Sequence, residues 1–195
     1  MQYSTFAAID IGSYDVILEI FEISKKQGIR SVDKICHRME LGKDTYTLGK
    51  IRPEMEEELC RVLADFVRIM EGYRVDDYRA TASSAISEAS NSLYVLGKIH
   101  QLTGLSVTVL SNSEQRFLSY KALAAMEDNF NKIIEKGTAI LDLDGGSFQI
   151  SLFDKDALVT TQNIRMGSLR IRERLAGIQS ETEHYEEMVE ELIWN

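Results

Sequence analysis

Two stretches of the chain place an acid at the end of an apolar run and follow it with small residues. The first is AAIDIGSYDVILEIFEI, residues 7–23, and the second is AILDLDGGSFQISLF, residues 139–153. Glycine leaves backbone N–H groups unobstructed, so turns of this kind can form a cradle for phosphate oxygens. The candidate phosphate-binding residues are therefore Gly12 and Ser13 in the first stretch and Gly145, Gly146 and Ser147 in the second.

The acids that precede these turns, Asp10 and Asp142, are candidate metal ligands. Carboxylate oxygens suit Mg²⁺, either directly or through water. A single hairpin turn that contains Gly and Asp is common and indicates little about function. Two turns of one design, each after an apolar strand, favour a site that holds phosphate from both sides.

The elements around the two turns repeat one design: a strand that ends in Asp, a small-residue turn and a returning strand. The first copy is followed by a full set of helices and strands, and the second by only a third strand and two helices. The pattern predicts an internal pseudo-repeat with a truncated second copy. We expect a first domain over residues 1–127 and an incomplete second domain over residues 128–195.

The spacing of apolar residues predicts the main helices. One helix is expected from Pro53, with acids crowding its first turns, to Gly72. Single helices are also expected over residues 85–104 and 112–130, and residues 42–51 are predicted to form a loop.

Composition and charge exclude several classes of protein. The net charge is −9 and the isoelectric point is about 4.9, whereas a protein that wraps nucleic acid needs a basic surface. No stretch has the apolar length of a membrane helix, and the first residues lack a signal-peptide pattern. Two isolated cysteines, Cys36 and Cys60, suit a reducing compartment. We therefore expect a cytoplasmic protein that binds neither nucleic acid nor a membrane.

Five blocks of the sequence occur in an order typical of one protein family. They read AAIDIGSYD, ASSAISEASN, LSNSEQR, DLDGGSFQI and NIRMGSLRI, where members of that family typically read AAIDIGSNS, ATSALREAxN, ISGxEEA, DIGGGSTEL and LPLGAVRL. The blocks cover most of the chain, and their order is more specific than any single block. The sequence thus resembles the N-terminal part of the Ppx/GppA family of exopolyphosphatases and guanosine-pentaphosphate phosphohydrolases.

The resemblance implies a fold and a chemistry. The fold is α/β, of the ribonuclease-H-like type found in actin-like ATPases, with a mixed five-stranded sheet flanked by helices and a truncated second copy. The chemistry is removal of terminal phosphate from polyphosphate or guanosine pentaphosphate, with Mg²⁺ as the cofactor. Glu114 matches the carboxylate that activates the attacking water, and Arg170 matches a position near the phosphate cleft.

Six positions depart from the family's pattern at this site. Asp144 replaces a glycine, and its side chain is expected to crowd the loop. Gln149 replaces a glutamate thought to act near the metal, which keeps hydrogen bonding but removes charge. Ser87 stands where the family has an arginine, so a phosphate-facing guanidinium is missing. The remaining departures are Tyr14, Asp15 and Gln115.

These features leave three functions open. The first is a Mg²⁺-dependent phosphohydrolase of polyphosphate or guanosine pentaphosphate. The second is a catalytically impaired relative that binds phosphate or nucleotide or acts in regulation, because the departures cluster at the site while the core pattern is intact. The third is an actin-like ATP-binding protein or a sugar kinase, because those proteins share the fold and its Asp-Gly turns. The truncated copy also predicts a homodimer, because it leaves a sheet edge unpaired.

Overall fold

Two β-sheets organise the protein, one for each copy of the repeat. The computed structural model describes residues 3–127, 129–176 and 184–194. The strands of the first sheet are β1 (Ser4–Ile11), β2 (Asp15–Ser24), β3 (Gly28–Arg38), β4 (Asp77–Ala82) and β5 (Val107–Val109). The strands of the second are β6 (Thr138–Leu143), β7 (Phe148–Asp154) and β8 (Ala157–Ile164).

The first sheet is mixed, with the strand order β3-β2-β1-β4-β5. β1, β2 and β3 form an antiparallel meander, and β4 and β5 extend it in parallel from β1. The second sheet is an antiparallel meander with the order β6-β7-β8. The predicted α/β class and mixed five-stranded sheet are confirmed.

The helices lie between and after these strands. They are α1 (Leu41–Leu48), α2 (Pro53–Gly72), α3 (Ser84–Ser87), α4 (Ser92–Thr103), α5 (Asn112–Met126), α6 (Phe130–Ile134), α7 (Ser168–Leu175) and α8 (Tyr185–Trp194). The bounds of α2 are those predicted from Pro53 and Gly72. Among the described residues, no helix has both the length and the apolar character needed to cross a membrane.

The prediction of a loop over residues 42–51 was wrong, because this segment contains α1. Glu40 turns into the helix with a left-handed φ of 50°, and Gly49 ends it with a φ of 71°. Leu41 is fully buried at the first position of the helix. A glycine just after a short polar helix is a common stop signal, and it marks the end of α1 in the sequence.

Two predicted single helices are each broken in two. The segment 85–104 forms α3 and α4, and the break is held by Asn91, whose side chain bonds the backbone N–H and C=O of Ile51 at 3.0 and 2.8 Å. The segment 112–130 forms α5 and α6, separated where Glu127 adopts an extended conformation. Helical periodicity does not reveal contacts with a distant loop. For this reason the sequence predicted one continuous helix in each of these two segments.

The core of the first sheet lies between β1, β2 and helix α2. Leu59, Leu63 and Phe66 of α2 belong to one buried cluster with Ile9 and Ile11 of β1. Burial of these side chains on one face of α2 follows from their helical spacing. This cluster anchors the strand whose end carries the first acid–glycine turn.

The second sheet repeats this strand design without the same cover. Leu141 and Leu143 stand one residue before and after Asp142, as Ile9 and Ile11 flank Asp10. Both leucines are 62% exposed, whereas the two isoleucines are buried. Among the described residues, β6 pairs on one side only, with β7. Homodimer formation through this edge stays a prediction, as does the domain boundary after residue 127.

Candidate active site

The first acid–glycine turn, residues 12–14, joins β1 to β2 and is fixed by α1. The amide of Gly12 donates to the carbonyl of Asp15 at 2.9 Å and closes the hairpin. The carbonyl of Ser13 accepts from the amide of Gly42 at 2.8 Å. The Gly12 amide is therefore engaged within its own turn, and α1 determines where Ser13 lies.

Three hydroxyl groups meet beside this turn. The Ser13 Oγ lies 2.6 Å from Tyr46 Oη and 3.2 Å from Ser84 Oγ, and the last two are 2.8 Å apart. Burial raises the pKa of Tyr46, and its hydrogen bonds to the two serines oppose this rise. The sequence does not single out Tyr46, because it lies on α1, in the segment predicted to be a loop.

The second acid–glycine turn, residues 144–147, is filled by one of its own side chains. The Asp144 Oδ1 atom accepts from the amides of Gly146 and Ser147, each at 2.6 Å. The Asp144 amide donates to the Ser147 carbonyl at 3.0 Å and closes the turn. Two of the amides expected to receive phosphate oxygens therefore already hold a carboxylate.

The first turn of α7 forms hydrogen bonds to the backbone of the second acid–glycine turn. The amides of Ser168 and Leu169 donate to the carbonyls of Asp144 and Gly145 at 3.0 and 3.1 Å. Helix N-termini carry free N–H groups, and here loop carbonyls satisfy them. Helix α7 thus fixes the turn in place.

The two acid–glycine turns lie in direct contact. A Cβ built on Gly145 would approach Ser13 Cβ to 3.3 Å. A Cβ on Gly146 would meet Tyr46 Oη and Ser84 Oγ at distances under 3.0 Å, which real Cβ atoms do not show. A side chain at position 146 would therefore displace the Tyr46 and Ser84 hydroxyl groups that meet the second turn.

Gly167 is a second point where only glycine fits, and it gives a test of this packing. A Cβ there would meet the backbone of Gly145 and Ser147 at under 3.0 Å. Since the turn is held on α7, Gly167→Ala is expected to lower the free energy of unfolding by about 2 kcal/mol in urea denaturation. The matched control is Gly97→Ala on α4, where an added Cβ meets nothing and we expect a gain of about 0.5–1 kcal/mol. Equal effects of the two substitutions would contradict this account of the turn.

Arg170 connects the two halves of the site. Its Nη2 donates to both carboxylate oxygens of Glu88 at 3.0 and 3.1 Å, and its Nε donates to the Gly146 carbonyl at 3.0 Å. The guanidinium carbon lies 3.8 Å from the centre of the Tyr46 ring, a cation–π contact. Glu88 was missed in the sequence, although it lies in the ASSAISEASN block.

Glu114 lies at the third position of α5 and forms a capping box with Ser111. Its Oε2 accepts from the amide and hydroxyl of Ser111 at 2.9 and 2.8 Å, and its own amide donates to the Ser111 hydroxyl at 3.3 Å. The hydrogen bonds from the Ser111 backbone and side chain lower the pKa of the Glu114 carboxyl. The carboxylate is therefore ionised at neutral pH, and its catalytic role stays a prediction.

A small polar cavity lies between α5 and the second acid–glycine turn. Its volume is about 10 Å³, enough for roughly one water molecule. Gln115 reaches into it from α5, and its Nε2 lies 3.4 Å from Asp144 Oδ2. The cavity is lined by Asn112, Gln115, Arg116, Asp142, Asp144, Ser147, Gln149 and Asn163. Helix α5 lines this cavity with Asn112, Gln115 and Arg116, and Glu114 is not among the lining residues.

Three acids lie around the two turns. Asp142 of β6 accepts a 3.4 Å hydrogen bond from Ser119 and is paired across the strands with Gln149. The protein around Asp10 raises the pKa of its carboxyl by desolvation, a hydrogen bond from Thr81 opposes that rise, and the charge of Asp144 adds to it. The carboxyl groups of Asp10, Asp142 and Asp144 therefore lie close to where the two turns meet.

The remaining departures from the family's pattern occupy different environments. Tyr14 lies under the guanidinium of Arg38, 4.4 Å from the ring centre, and Asp15 begins β2. Ser87 ends α3 and is exposed.

Beyond Tyr14, an open cavity of about 320 Å³ runs along the second turn to Ser168 and Arg172 of α7. This cavity has the size of a small-ligand site.

Several known proteins are similar to this chain. The model of the Ppx/GppA phosphatase family matches residues 19–193. The bifunctional 3-dehydroquinate synthase/phosphatase of Fusobacterium nucleatum is 22% identical over 174 residues, which are 86% of this chain and 26% of that protein. Exopolyphosphatase 1 of Mycobacterium leprae is 25% identical over 144 residues, which are 73% of this chain and 41% of that protein.

The fold is also found in solved structures. An exopolyphosphatase from Cytophaga hutchinsonii superimposes with a TM-score of 0.77 at 22% identity, over 88% of this chain and 53% of that one. Similarity at this level of identity reports the fold, and it confirms the fold expected from the sequence blocks. The chain spans about half the length of that structure and less than half of the two curated relatives.

Proposed function

The chain belongs to the Ppx/GppA phosphatase family, and we propose that it forms the phosphate-binding cleft of a phosphohydrolase that removes terminal phosphate from polyphosphate or guanosine pentaphosphate. The observation that carries this proposal is the contact of the two acid–glycine turns, with Arg170 spanning them. Facing turns of this kind can hold a phosphate chain from both sides once they separate. Catalysis of phosphoryl transfer depends mainly on such positioning and on charge stabilisation.

The donor set around the small cavity fits Mg²⁺. Asp142 and Asp144 supply carboxylates, and Asn112 and Asn163 supply amide oxygens, which are ligands that a hard cation prefers. Within the described residues no three acidic, histidine or cysteine side chains converge on one point. A sparse set of protein ligands suits Mg²⁺, which usually keeps several waters. When bound, the ion would neutralise charge on phosphate oxygens.

The residues of the chain have distinct proposed roles. Arg170 places a positive charge between the turns, directed by Glu88 and the Tyr46 ring. Glu114 is the proposed general base, and its ionised carboxylate is the form that can accept a proton from water. The contact with Ser111 engages Oε2 of this carboxylate, so Oε1 is the oxygen proposed to accept the proton.

The test is phosphate release from long-chain polyphosphate and from guanosine pentaphosphate with Mg²⁺. We expect release by the wild-type protein and release about 100-fold slower in Glu114→Gln, because loss of a general base typically removes this much rate. Glutamine also serves in a capping box, so the substitution leaves α5 intact. The matched control is Glu57→Gln, which removes the same charge from an exposed position of α2. Equal release by wild type and Glu114→Gln would exclude Glu114 as the base.

A second function is favoured by a specific observation at the same site. Asp144 fills the amides of the second turn, Glu88 neutralises Arg170, and Ser87 offers no guanidinium. These features favour a relative that binds a phosphate chain for regulation without hydrolysing it. Binding of polyphosphate with no release by any form of the folded protein would support this function over the first.

A further inference from the structure

The second acid–glycine turn contains an anion supplied by the chain itself. Asp144 Oδ1 receives two amide hydrogen bonds at 2.6 Å, from Gly146 and Ser147. An Asp side chain that accepts from the amides two and three residues later in this way forms an Asx-turn. A carboxylate oxygen and a phosphate oxygen are equivalent acceptors for such amides, so only one of them can occupy the turn.

Asp144 is held in this position from three sides. Its own amide closes the turn on Ser147, its carbonyl accepts from Ser168 of α7, and its Oδ2 lies 3.4 Å from Gln115 Nε2 of α5. The backbone at position 144 is not among the positive-φ residues, so it needs no special residue type. The carboxylate is therefore the only feature of Asp144 that a smaller residue would lose.

The second anion-binding group of the cleft is occupied in the same way. Glu88 holds the Arg170 guanidinium through both of its oxygens, at 3.0 and 3.1 Å. An incoming phosphate therefore meets two sets of donors that each carry an internal carboxylate. The carboxyl groups of Asp10 and Asp142 also lie near the two turns.

We propose that Asp144 is an internal competitor for phosphate: its carboxylate occupies the place of a phosphate oxygen in the second turn, and a terminal phosphate group binds there only after the carboxylate moves out. This inference rests on the proposed function, which places a phosphate group between the turns. It predicts that the amides of the turn bind free orthophosphate weakly, because orthophosphate must displace a tethered competitor. The apparent affinity falls by the fraction of molecules in which the carboxylate has left.

The test is orthophosphate binding without Mg²⁺, measured by calorimetry on wild-type protein, Asp144→Gly, Asp144→Ala and Asp144→Asn. We expect the Gly and Ala variants to bind about tenfold more tightly than wild type, because the turn is empty. Asparagine keeps an Oδ1 that can accept from the same two amides and removes only the charge. The orthophosphate affinity of Asp144→Asn is therefore expected to lie between that of the wild type and that of the Gly and Ala variants. The control for charge alone is Asp154→Asn at the far end of β7, which is expected to match wild type.

Three results would overturn the inference. The first is a Gly variant that binds no more tightly than wild type, and the second is one that binds no more tightly than Asp144→Asn. The third needs no variant: movement of the Gly146 and Ser147 amide resonances of wild-type protein at low orthophosphate concentration would mean that these amides are already open. Circular dichroism of each variant confirms that it is folded.

Failure of this inference is distinguishable from failure of the proposed function. Tight orthophosphate binding by Asp144→Gly, with no phosphate release by wild type, would support the inference and count against the hydrolase. Phosphate release that depends on Glu114, with no gain of binding in Asp144→Gly, would support the hydrolase and overturn the inference.

Discussion

Arg170→Ala is expected to lower the free energy of unfolding by about 3 kcal/mol, because it removes the partner of a largely buried carboxylate. The Arg170 side chain is 12% exposed, and its loss leaves Glu88, the Gly146 carbonyl and the Tyr46 ring without their shared partner. Urea denaturation measures the change. Lysine is not expected to restore the wild-type value, because it lacks the planar group that binds both carboxylate oxygens and stacks on the ring.

The control for Arg170 is Arg165, which approaches the same carboxylate. Arg165 Nε lies 4.0 Å from Glu88 Oε1, and its side chain is 72% exposed. Exposed ion pairs contribute little, so Arg165→Ala is expected to change the free energy of unfolding by less than about 0.5 kcal/mol. Similar losses for Arg170→Ala and Arg165→Ala would show that position between the turns is unimportant.

Phe66→Ala is expected to lower the free energy of unfolding by about 3–5 kcal/mol, the range for truncation of a buried phenylalanine. Phe66 is 2% exposed and lies on α2, in the cluster that covers β1 and β2. The loss combines the hydrophobic stabilisation that the buried ring provides in the wild type with the cost of the cavity left in the core. Chemical denaturation followed by circular dichroism provides the measurement.

The matched control for Phe66 is Phe117 on α5, which is exposed and has Lys121 Nζ 5.0 Å from its ring centre. Phe117→Ala is expected to cost about 0.5 kcal/mol, the contribution of an exposed cation–π contact. If Phe117→Ala proved as damaging as Phe66→Ala, the core would not lie where the buried cluster indicates.

The strands and the long helix were predictable because each carries a local signal. Apolar runs that lead to an Asp predicted β1 and β6, and Pro53 with the acids after it predicted the start of α2. Helix α1 was missed because it is stabilised by burial of Leu41 and by the hydrogen bond from the Gly42 amide to the Ser13 carbonyl, neither of which appears in local sequence. Tertiary contacts of this kind override weak helical propensity.

The candidate site was predictable in its residues and not in their partners. The sequence placed Arg170 near the cleft, but its contact with Glu88 joins positions 82 residues apart. The sequence also indicated that Asp144 would crowd its turn. That the carboxylate folds back onto Gly146 and Ser147 depends on the geometry of the turn, and only the structure describes it.

The different cover of the two sheets has a consequence for how the cleft opens. Ile9 and Ile11 are sealed beneath α2, whereas Leu141 and Leu143 face outward. Few buried contacts mean a low free energy of local opening, so the second sheet forms the less protected cooperative unit. The turn that carries Asp144 belongs to that unit, and the turn that carries Ser13 belongs to the sealed one. We therefore expect amide hydrogen exchange to be faster in the second sheet than in the first, and the internal carboxylate of Asp144 lies on the side of the cleft that we expect to open more easily.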